Sequence, residues 1–337
     1  MPTDPRLLVL ATGGTIGMRE TPAGIAPDPD FPEVLEDMLA DICEPLGIEW
    51  RVNHLQPPID SANADADTAP RIARTLSARV RTQQPRGVVV LHGTDTLAYT
   101  GARLAFELSG LGSPVVLTGS QLPHGAEGSD ARDNLSLAVR AAMRASRTAP
   151  VSIAFGGAIV PAVRATKHHS SALEAFRAEL PLGARPAGIP KLDDGSRGAA
   201  SARVISFRFV PGVTADDLRG AVAGAPDGLV LECYGSGNGP MDRPGMRDAL
   251  REISSRIPVV AITQCTAGGG VDLARYAVGR ELARTGVITG SDLTLEAAIA
   301  KLGWLVDRGA VGNILRDLVP INLIGECAPP AAEDPVS

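Results

Sequence analysis

Short apolar runs that end in Gly, Thr or Ser alternate along this chain with longer amphipathic stretches rich in Ala, Leu and Arg. The apolar runs predict buried strands at residues 7–11, 87–91, 114–117, 151–155, 229–233 and 259–263. The amphipathic stretches predict helices near residues 33–46, 68–84, 96–109, 131–147, 215–223, 245–255, 272–285 and 294–307. Buried strands that alternate with helices are typical of a mainly parallel sheet covered on both faces. The sequence therefore predicts an α/β fold.

The alternation lapses around residues 181–203, where Gly, Pro and Ser accumulate. A chain of 337 residues is also long enough for two domains of ordinary size. We therefore predict two domains: a larger N-terminal domain (1–195) with a mainly parallel sheet flanked by helices, and a smaller C-terminal α/β domain (215–337). A linker region over residues 196–214 is expected to join them.

The charge balance argues against several classes of partner. The chain has 32 Lys and Arg against 38 Asp and Glu, a formal net charge of −6. Non-specific nucleic-acid binding requires clustered basic residues, so no nucleic-acid partner is expected. The N-terminus runs directly into a predicted strand without a basic n-region, and no apolar run reaches membrane-spanning length. We expect a cytoplasmic protein without a membrane partner.

Neither the cysteines nor the histidines form a pattern typical of metal sites. The four cysteines are Cys43, Cys233, Cys265 and Cys327. Their wide spacing suits a reducing compartment, although four cysteines could also form two disulfides. His168 and His169 are adjacent, but neighbouring side chains point in different directions and no further ligand is evident. No metal or other cofactor is predicted.

Polar clusters follow the ends of the predicted strands. Ligands of open parallel sheets bind beyond the carboxyl ends of the strands, so these clusters are the candidates for a site. They are T-G-G-T-I-G at 12–17, H-G-T-D-T at 92–96, T-G-S-Q at 118–121, Y-G-S-G-N at 234–238 and T-Q-C at 263–265.

The first cluster allows three interpretations. It approaches the dinucleotide-binding pattern G-x-G-x-x-G, with Thr12 in place of the first Gly. That pattern also needs an acidic residue at the end of a second strand, and Glu36 lies in a predicted helix instead. A tight turn that requires glycine is the second interpretation. The third fits the residues best: the glycines let the backbone approach a small ligand and hold Thr15 forward as an exposed hydroxyl.

A Thr hydroxyl is a poor nucleophile unless a neighbouring base takes its proton. The second cluster offers the Thr94 hydroxyl and the Asp95 carboxylate, although capping of the following helix explains Asp95 equally well. Lys occurs at only three positions, and Lys167 stands among other basic residues. A crowded, partly desolvated Lys can act as a general base, whereas Arg cannot. Lys191 and Lys301 are predicted to be solvated surface residues.

These residues together favour an enzyme with Thr nucleophiles and a Lys and Asp relay that acts on a small polar substrate. Amide hydrolysis fits, because it needs a nucleophile, a base and backbone N–H groups that polarise the amide.

The sequence also resembles a known family. A-T-G-G-T-I-G at 11–17 and L-H-G-T-D-T at 91–96 resemble the paired signatures of the bacterial-type L-asparaginases. Supporting segments are I-D-S at 59–61, L-T-G-S-Q-L-P at 117–123, T-K-H-H at 166–169, Y-G-S-G-N at 234–238 and I-T-Q-C at 262–265. The chain looks most like the cytoplasmic type I branch. The resemblance implies hydrolysis of L-asparagine to L-aspartate and ammonia without metal or organic cofactor.

The resemblance also implies roles for individual residues. Thr15 is the expected primary nucleophile, and Thr94, Asp95 and Lys167 form a relay that either deprotonates a nucleophile or activates the deacylating water. The expected substrate-binding residues are Gly14, Ser61, Gly93, Thr94, Asp95, Ser120 and Asn238. Asp95 would bind the α-ammonium group and Ser61 the α-carboxylate, while backbone around Gly93 and Ser120 polarises the amide. Asn238 would reach a neighbouring subunit's site, which implies a homodimer or homotetramer.

Three positions depart from the family's pattern. The loop after the first signature commonly carries a Tyr, and Ile25 stands in the corresponding position. A type I effector site would involve Cys265 and Thr166, but Glu232 replaces the Arg that would bind the effector's carboxylate. Ala62 replaces a polar pocket residue, which could loosen the selection of asparagine over glutamine.

Three other functions stay open at this point. They are a glutaminase-leaning amidohydrolase, an ammonia-supplying amidotransferase subunit and a non-catalytic amino-acid-binding protein. The combination of Thr15, Thr94, Asp95 and Lys167 weighs against the binding protein, since binding alone does not need all four.

Overall fold

The structure is a computed structural model that describes residues 7–184, 186–192 and 200–328. The chain divides into two units, one that ends at Ala178 and one that begins at Glu179. Residues 196–199 of the predicted linker lie outside the described residues. The predicted ranges of the two domains and the linker stay a prediction.

The first unit is built on a six-stranded sheet in the order β4-β1-β5-β6-β7-β8. The strands are β1 (Leu7–Ala11), β4 (Trp50–His54), β5 (Gly87–Leu91), β6 (Val115–Thr118), β7 (Ser152–Phe155) and β8 (Ala158–Pro161). Neighbouring strands are parallel except β7 and β8. Two hairpins stand apart from this sheet, β2 (Met18–Thr21) with β3 (Gly24–Pro27), and β9 (Thr166–Lys167) with β10 (Phe176–Arg177).

The central strands β1 and β5 read L-L-V-L-A and G-V-V-V-L and are buried along their whole length, as strands covered on both faces must be. The helices of this unit are α1 (Phe31–Cys43), α2 (Thr68–Gln83), α3 (Leu97–Glu107) and α4 (Ala131–Arg144). Leu35 of α1 and Leu135 of α4 share one core with Val9 and Val89 of the sheet. The predicted α/β fold with a mainly parallel sheet flanked by helices is confirmed.

The second unit holds a smaller sheet of four parallel strands in chain order. They are β11 (Val204–Arg208), β12 (Gly228–Cys233), β13 (Val259–Thr263) and β14 (Ile288–Thr289). The helices are α5 (Ala215–Ala221), α6 (Met246–Arg256), α7 (Ala277–Arg284), α8 (Leu295–Asp307) and α9 (Gly312–Leu318). A smaller C-terminal α/β domain was predicted, and this sheet confirms it.

Strand β11 is a difference from the sequence analysis, because it lies inside the stretch 196–214 that was predicted as a linker region. Its residues are partly exposed, so its apolar pattern is weak, and the Gly and Ser residues that precede it have the composition of a linker. No helix in the described part of the chain is long and apolar enough to cross a membrane.

The prediction that Lys301 is a solvated surface residue is wrong. Lys301 is fully buried on α8, and its ammonium group pairs with the equally buried Glu326 at 2.6 Å. Lys191 is exposed, as expected. All four cysteines are free thiols, and Cys265 is the exposed one.

Candidate active site

The loops after β1, β4 and β5 meet at the carboxyl edge of the first sheet. A Cβ atom on Gly14 would lie 2.4 Å from the Gly93 nitrogen, and a Cβ atom on Gly93 would lie 2.3 Å from Ser61 Oγ. Gly14 also has a φ of 101°, which residues with a side chain rarely adopt. The glycines therefore allow the three loops to approach one another within contact distance. The approach of this backbone to a small ligand stays a prediction.

Thr15 follows Gly14 directly and begins a short 3₁₀ turn, Thr15–Gly17. The turn is closed by a hydrogen bond from the Gly17 amide to the Gly14 carbonyl, 2.9 Å. Thr15 is partly exposed, and its hydroxyl has no hydrogen-bond partner among the residues that the structure describes. The hydroxyl is therefore not committed to the fold and can react.

Thr94, Asp95 and Lys167 come together although more than 70 residues separate the lysine from the other two. Lys167 Nζ donates to Thr94 Oγ1 at 2.8 Å and to Asp95 Oδ1 at 3.1 Å. Thr94 is buried, whereas 61% of the Asp95 side chain is exposed. The order of contacts is hydroxyl, ammonium, carboxylate, which is the arrangement that a proton relay needs.

The alternative role of Asp95 as a helix cap is not seen. Thr96 is the residue that precedes α3, and no side chain caps that helix. Thr96 Oγ1 instead donates to the Ser61 carbonyl at 2.9 Å, so this hydroxyl joins the loop after β5 to the loop after β4. Asp95 is left to bind Lys167 and to face solvent.

Ser61 lies in a 3₁₀ turn, Ser61–Asn63, which the Asp60 carboxylate caps by accepting from the Ala62 amide at 3.1 Å. Ser61 is buried, and its hydroxyl has no partner in the described part of the chain. The Ser61 hydroxyl is therefore free to donate to a ligand, which suits a binding role.

Ser120 follows β6, the strand next to β5 in the sheet. Its hydroxyl donates to the Leu122 carbonyl within its own loop. The buried Asp130 carboxylate accepts hydrogen bonds from the Gln121 and Leu122 amides at 3.0 and 3.1 Å, which fixes the loop. The side chain of Ser120 is thus used to shape the loop, and its backbone is the part left for a ligand.

His92 is a residue of this region to which the sequence analysis gave no role. Burial lowers the pKa of His92, so its ring is neutral at pH 7. Its Nδ1 lies 2.8 Å from the Gly93 carbonyl, and its Nε2 lies 3.2 Å from Thr100 Oγ1. These partners assign the proton to Nδ1 and let His92 hold Gly93 in place. The signal in the sequence was a histidine that directly ends an apolar strand.

The remaining predicted residues lie at other places in the fold. Asn238 is in the second unit, at the end of a turn after β12 in which Tyr234 and Asn238 exchange two backbone hydrogen bonds of 2.9 Å. Thr166 precedes Lys167 on β9, and Cys265 follows β13 in the second unit. Glu232 is buried and binds the Arg208 guanidinium at 2.7 and 3.0 Å.

Residues 7–184, 186–192 and 200–328 contain no group of three His, Cys, Asp or Glu side chains that could hold a metal ion. His169, one of the two adjacent histidines, accepts backbone hydrogen bonds from Ser171 and Ala172 through Nδ1 at 3.1 and 2.8 Å. This ring therefore shapes its own turn.

Comparison with known proteins identifies the family. Residues 6–185 match the family model described as asparaginase, N-terminal, and residues 203–318 match the glutaminase/asparaginase C-terminal domain. The chain is 32% identical to L-asparaginase 1 of Escherichia coli K12, over 96% of this chain and 98% of the relative.

Two solved structures are similar in both sequence and fold. The thermostable L-asparaginase from Thermococcus kodakarensis is 33% identical, with a TM-score of 0.77 over 95% of this chain and 98% of that structure. L-asparaginase I from Vibrio cholerae is 30% identical, with a TM-score of 0.80 over 96% of this chain and 99% of that structure. The two matched domain models, the relatives and the arrangement of loops agree: the chain belongs to the asparaginase family.

Proposed function

We propose that the protein hydrolyses the side-chain amide of L-asparagine to L-aspartate and ammonia. The observation that carries the proposal is the contact of Lys167 Nζ with both Thr94 Oγ1 and Asp95 Oδ1. The Thr15 hydroxyl, which the described fold leaves unbonded, is the matching nucleophile. The family membership supports the same reaction, because the relatives named above are L-asparaginases.

The reaction takes two steps on Thr15. The Thr15 oxygen attacks the carboxamide carbon, its proton passes to the amide nitrogen, and the C–N bond breaks to release ammonia. Water then attacks the resulting ester, a proton returns to Thr15, and aspartate leaves. Thr94, Lys167 and Asp95 carry protons in one of these steps, because a Thr hydroxyl or a water molecule needs a base to become a nucleophile at neutral pH.

The substrate is held by groups that match its charges. The Asp95 carboxylate, mostly exposed, binds the α-ammonium group, and the unpartnered Ser61 hydroxyl binds the α-carboxylate. Backbone around Gly14, Gly93 and Ser120 polarises the carboxamide. The Ala62 side chain offers no hydrogen bond that could select asparagine over glutamine. The selection then depends mainly on the extra methylene group of glutamine, which a pocket discriminates by about 1–3 kcal/mol.

The assembly and the location follow from the family resemblance. Asn238, presented on the tight turn after β12, contributes to the site of a neighbouring subunit. Such an exchange requires paired subunits, so we propose a homodimer or homotetramer. The proposed location is the cytoplasm, and the proposed reaction uses no cofactor.

The decisive experiment measures ammonia release from L-asparagine and from L-glutamine by the purified protein and by Thr94→Ala. A matched control is Thr82→Ala, since Thr82 is exposed on α2 and its hydroxyl bonds only to its own helix. We expect Thr94→Ala to lose most of its activity and Thr82→Ala to keep the activity of the wild type. Release from glutamine alone would favour the glutaminase alternative, and release from neither amide would favour an amino-acid-binding protein.

A further inference from the structure

The segment that follows the proposed nucleophile is a hairpin with little support of its own. Strands β2 and β3 pair only with each other among the described residues, and Ile25 near the tip is exposed. An isolated two-stranded hairpin is marginally stable in water. Because β2 begins directly after the turn Thr15–Gly17, movement of the hairpin base is transmitted to Thr15.

Asp28 ties this base to the protein. Its amide donates to the Gly17 carbonyl at 2.9 Å, which closes the hairpin onto the Thr15 turn. Its carboxylate contacts Arg19 of β2 at 3.2 Å through Oδ1, and His124 Nε2 lies 3.0 Å from Oδ2. His124 belongs to the loop between β6 and α4 that also carries Ser120.

The contacts around Asp28 form one connected cluster. The His124 ring lies 5.7 Å from the Phe31 ring, centroid to centroid, and Phe31 packs so closely on Gly17 that a Cβ atom there would lie 2.9 Å from Cδ1. Only 7% of the Asp28 side chain and 13% of the His124 side chain are exposed. Desolvation opposes ionisation of Asp28, yet the Asp30 amide, His124 and Arg19 together hold the pKa of its carboxyl below the ordinary value.

We propose that His124 and Asp28 are positioning residues for Thr15, because their hydrogen bond fixes the loop of the nucleophile against the loop of Ser120. The inference rests on the proposed function. Neither residue touches the Thr94, Asp95 and Lys167 cluster in the described structure, so the pair acts through Thr15. The His124 N–H can donate in both the neutral and the charged ring, so the tie needs no change of protonation.

The test compares His124→Leu, which removes the donor, with His124→Gln, whose side-chain N–H restores one. A displaced nucleophile loses turnover rather than affinity, so we expect kcat of His124→Leu to fall about 10- to 100-fold. KM should change by less than about twofold, because Ser61 and Asp95 bind the substrate. His124→Gln should recover most of the rate. Asp28→Ala should lower kcat at least as much as His124→Leu, because it removes the same hydrogen bond together with the Arg19 contact.

The matched control is Asp41→Ala, which removes an exposed ion pair between Asp41 and Arg132 in the same unit. Its kcat should equal that of the wild type. Rates are measured well below each variant's unfolding midpoint, so that lost stability is not read as lost catalysis. A His124→Leu enzyme with unchanged kcat, or a His124→Gln enzyme no faster than His124→Leu, would overturn the proposal.

Hydrogen exchange of residues 18–27 separates this proposal from the proposed function. We expect faster exchange of these amides in His124→Leu than in the wild type, and no change in Asp41→Ala. A wild-type protein that releases no ammonia would refute the proposed function, and the exchange result would still decide whether the tie exists. Equal exchange in His124→Leu and the wild type would refute the tie itself.

Discussion

Replacing Lys301 by methionine is expected to destabilise the second unit more than any change at its surface. Lys301 Nζ has three N–H donors and meets three acceptors, the Val319 carbonyl at 2.9 Å, the Ile321 carbonyl and Glu326 Oε1 at 2.6 Å. The Glu326 carboxylate also accepts from the Leu323 and Ile324 amides. The pair therefore ties helix α8 to the segment that follows α9.

The magnitude follows from what methionine leaves behind. A buried carboxylate loses its counter-ion and two carbonyls lose their donor, and breaking a buried ion pair in this way costs about 3–5 kcal/mol. For a unit of this size each kcal/mol lowers the melting temperature by about 2–4 °C, so the expected drop is about 10 °C. Arginine is not an equivalent replacement, because its planar guanidinium presents its donors in a different geometry from the ammonium group.

Urea unfolding followed by tryptophan fluorescence measures this effect, because the buried Trp304 lies one turn from Lys301 on α8. Lys191→Met is the control, since Lys191 is exposed and should change the free energy of unfolding by less than about 0.5 kcal/mol. Adding Glu326→Gln should recover part of the loss, because the buried charge is removed and the amide oxygen still accepts from the backbone. A loss below about 1 kcal/mol in Lys301→Met would refute the reasoning.

Four further predictions follow from particular residues. A thiol reagent should label only Cys265 rapidly in the native protein and all four cysteines after denaturation, as counted by mass spectrometry. The Thr214 hydroxyl and amide hold the pKa of the Asp217 carboxyl below its ordinary value. The ionised carboxylate therefore stabilises the fold fully above the unfolded pKa of about 3.9, and this stabilisation is lost as pH falls through the folded pKa. Thr214→Ala should accordingly lower the free energy of unfolding at pH 7 more than at pH 2 in urea titrations. The family resemblance implies that Glu232 replaces the Arg of an effector site, so we predict hyperbolic asparagine saturation curves, and a Hill coefficient well above one would contradict this. Ile25→Tyr should raise kcat, since it supplies the loop hydroxyl that the family commonly carries; an unchanged kcat would show that the loop works without it.

The sequence predicts the parts of this fold that are buried on both faces. Strands β1 and β5 are apolar runs bounded by loop residues, and a run of this kind needs no knowledge of the rest of the chain. Strand β11 was missed because it is partly exposed, so its apolar pattern is weak and its neighbours look like a linker.

The error at Lys301 has a different cause. A lysine on a helix is normally solvated, and its partner Glu326 lies in a segment whose position depends on the whole second unit. The pairing of Lys167 with Thr94 is just as remote in sequence. It was expected because each residue had a chemical reason to be there and because the family resemblance implied a relay of Thr94, Asp95 and Lys167. The role of Asp95 was ambiguous in the sequence, because an aspartate that caps a helix and one that serves in a relay have the same sequence context.

The central claim is that the Thr15 hydroxyl is the nucleophile, and Thr15→Val tests it most directly because valine keeps the shape and removes only the hydroxyl. We expect kcat for L-asparagine to fall at least about 1,000-fold while calorimetry still detects asparagine binding. A Thr15→Val enzyme whose kcat stays within about tenfold of the wild type would contradict the account.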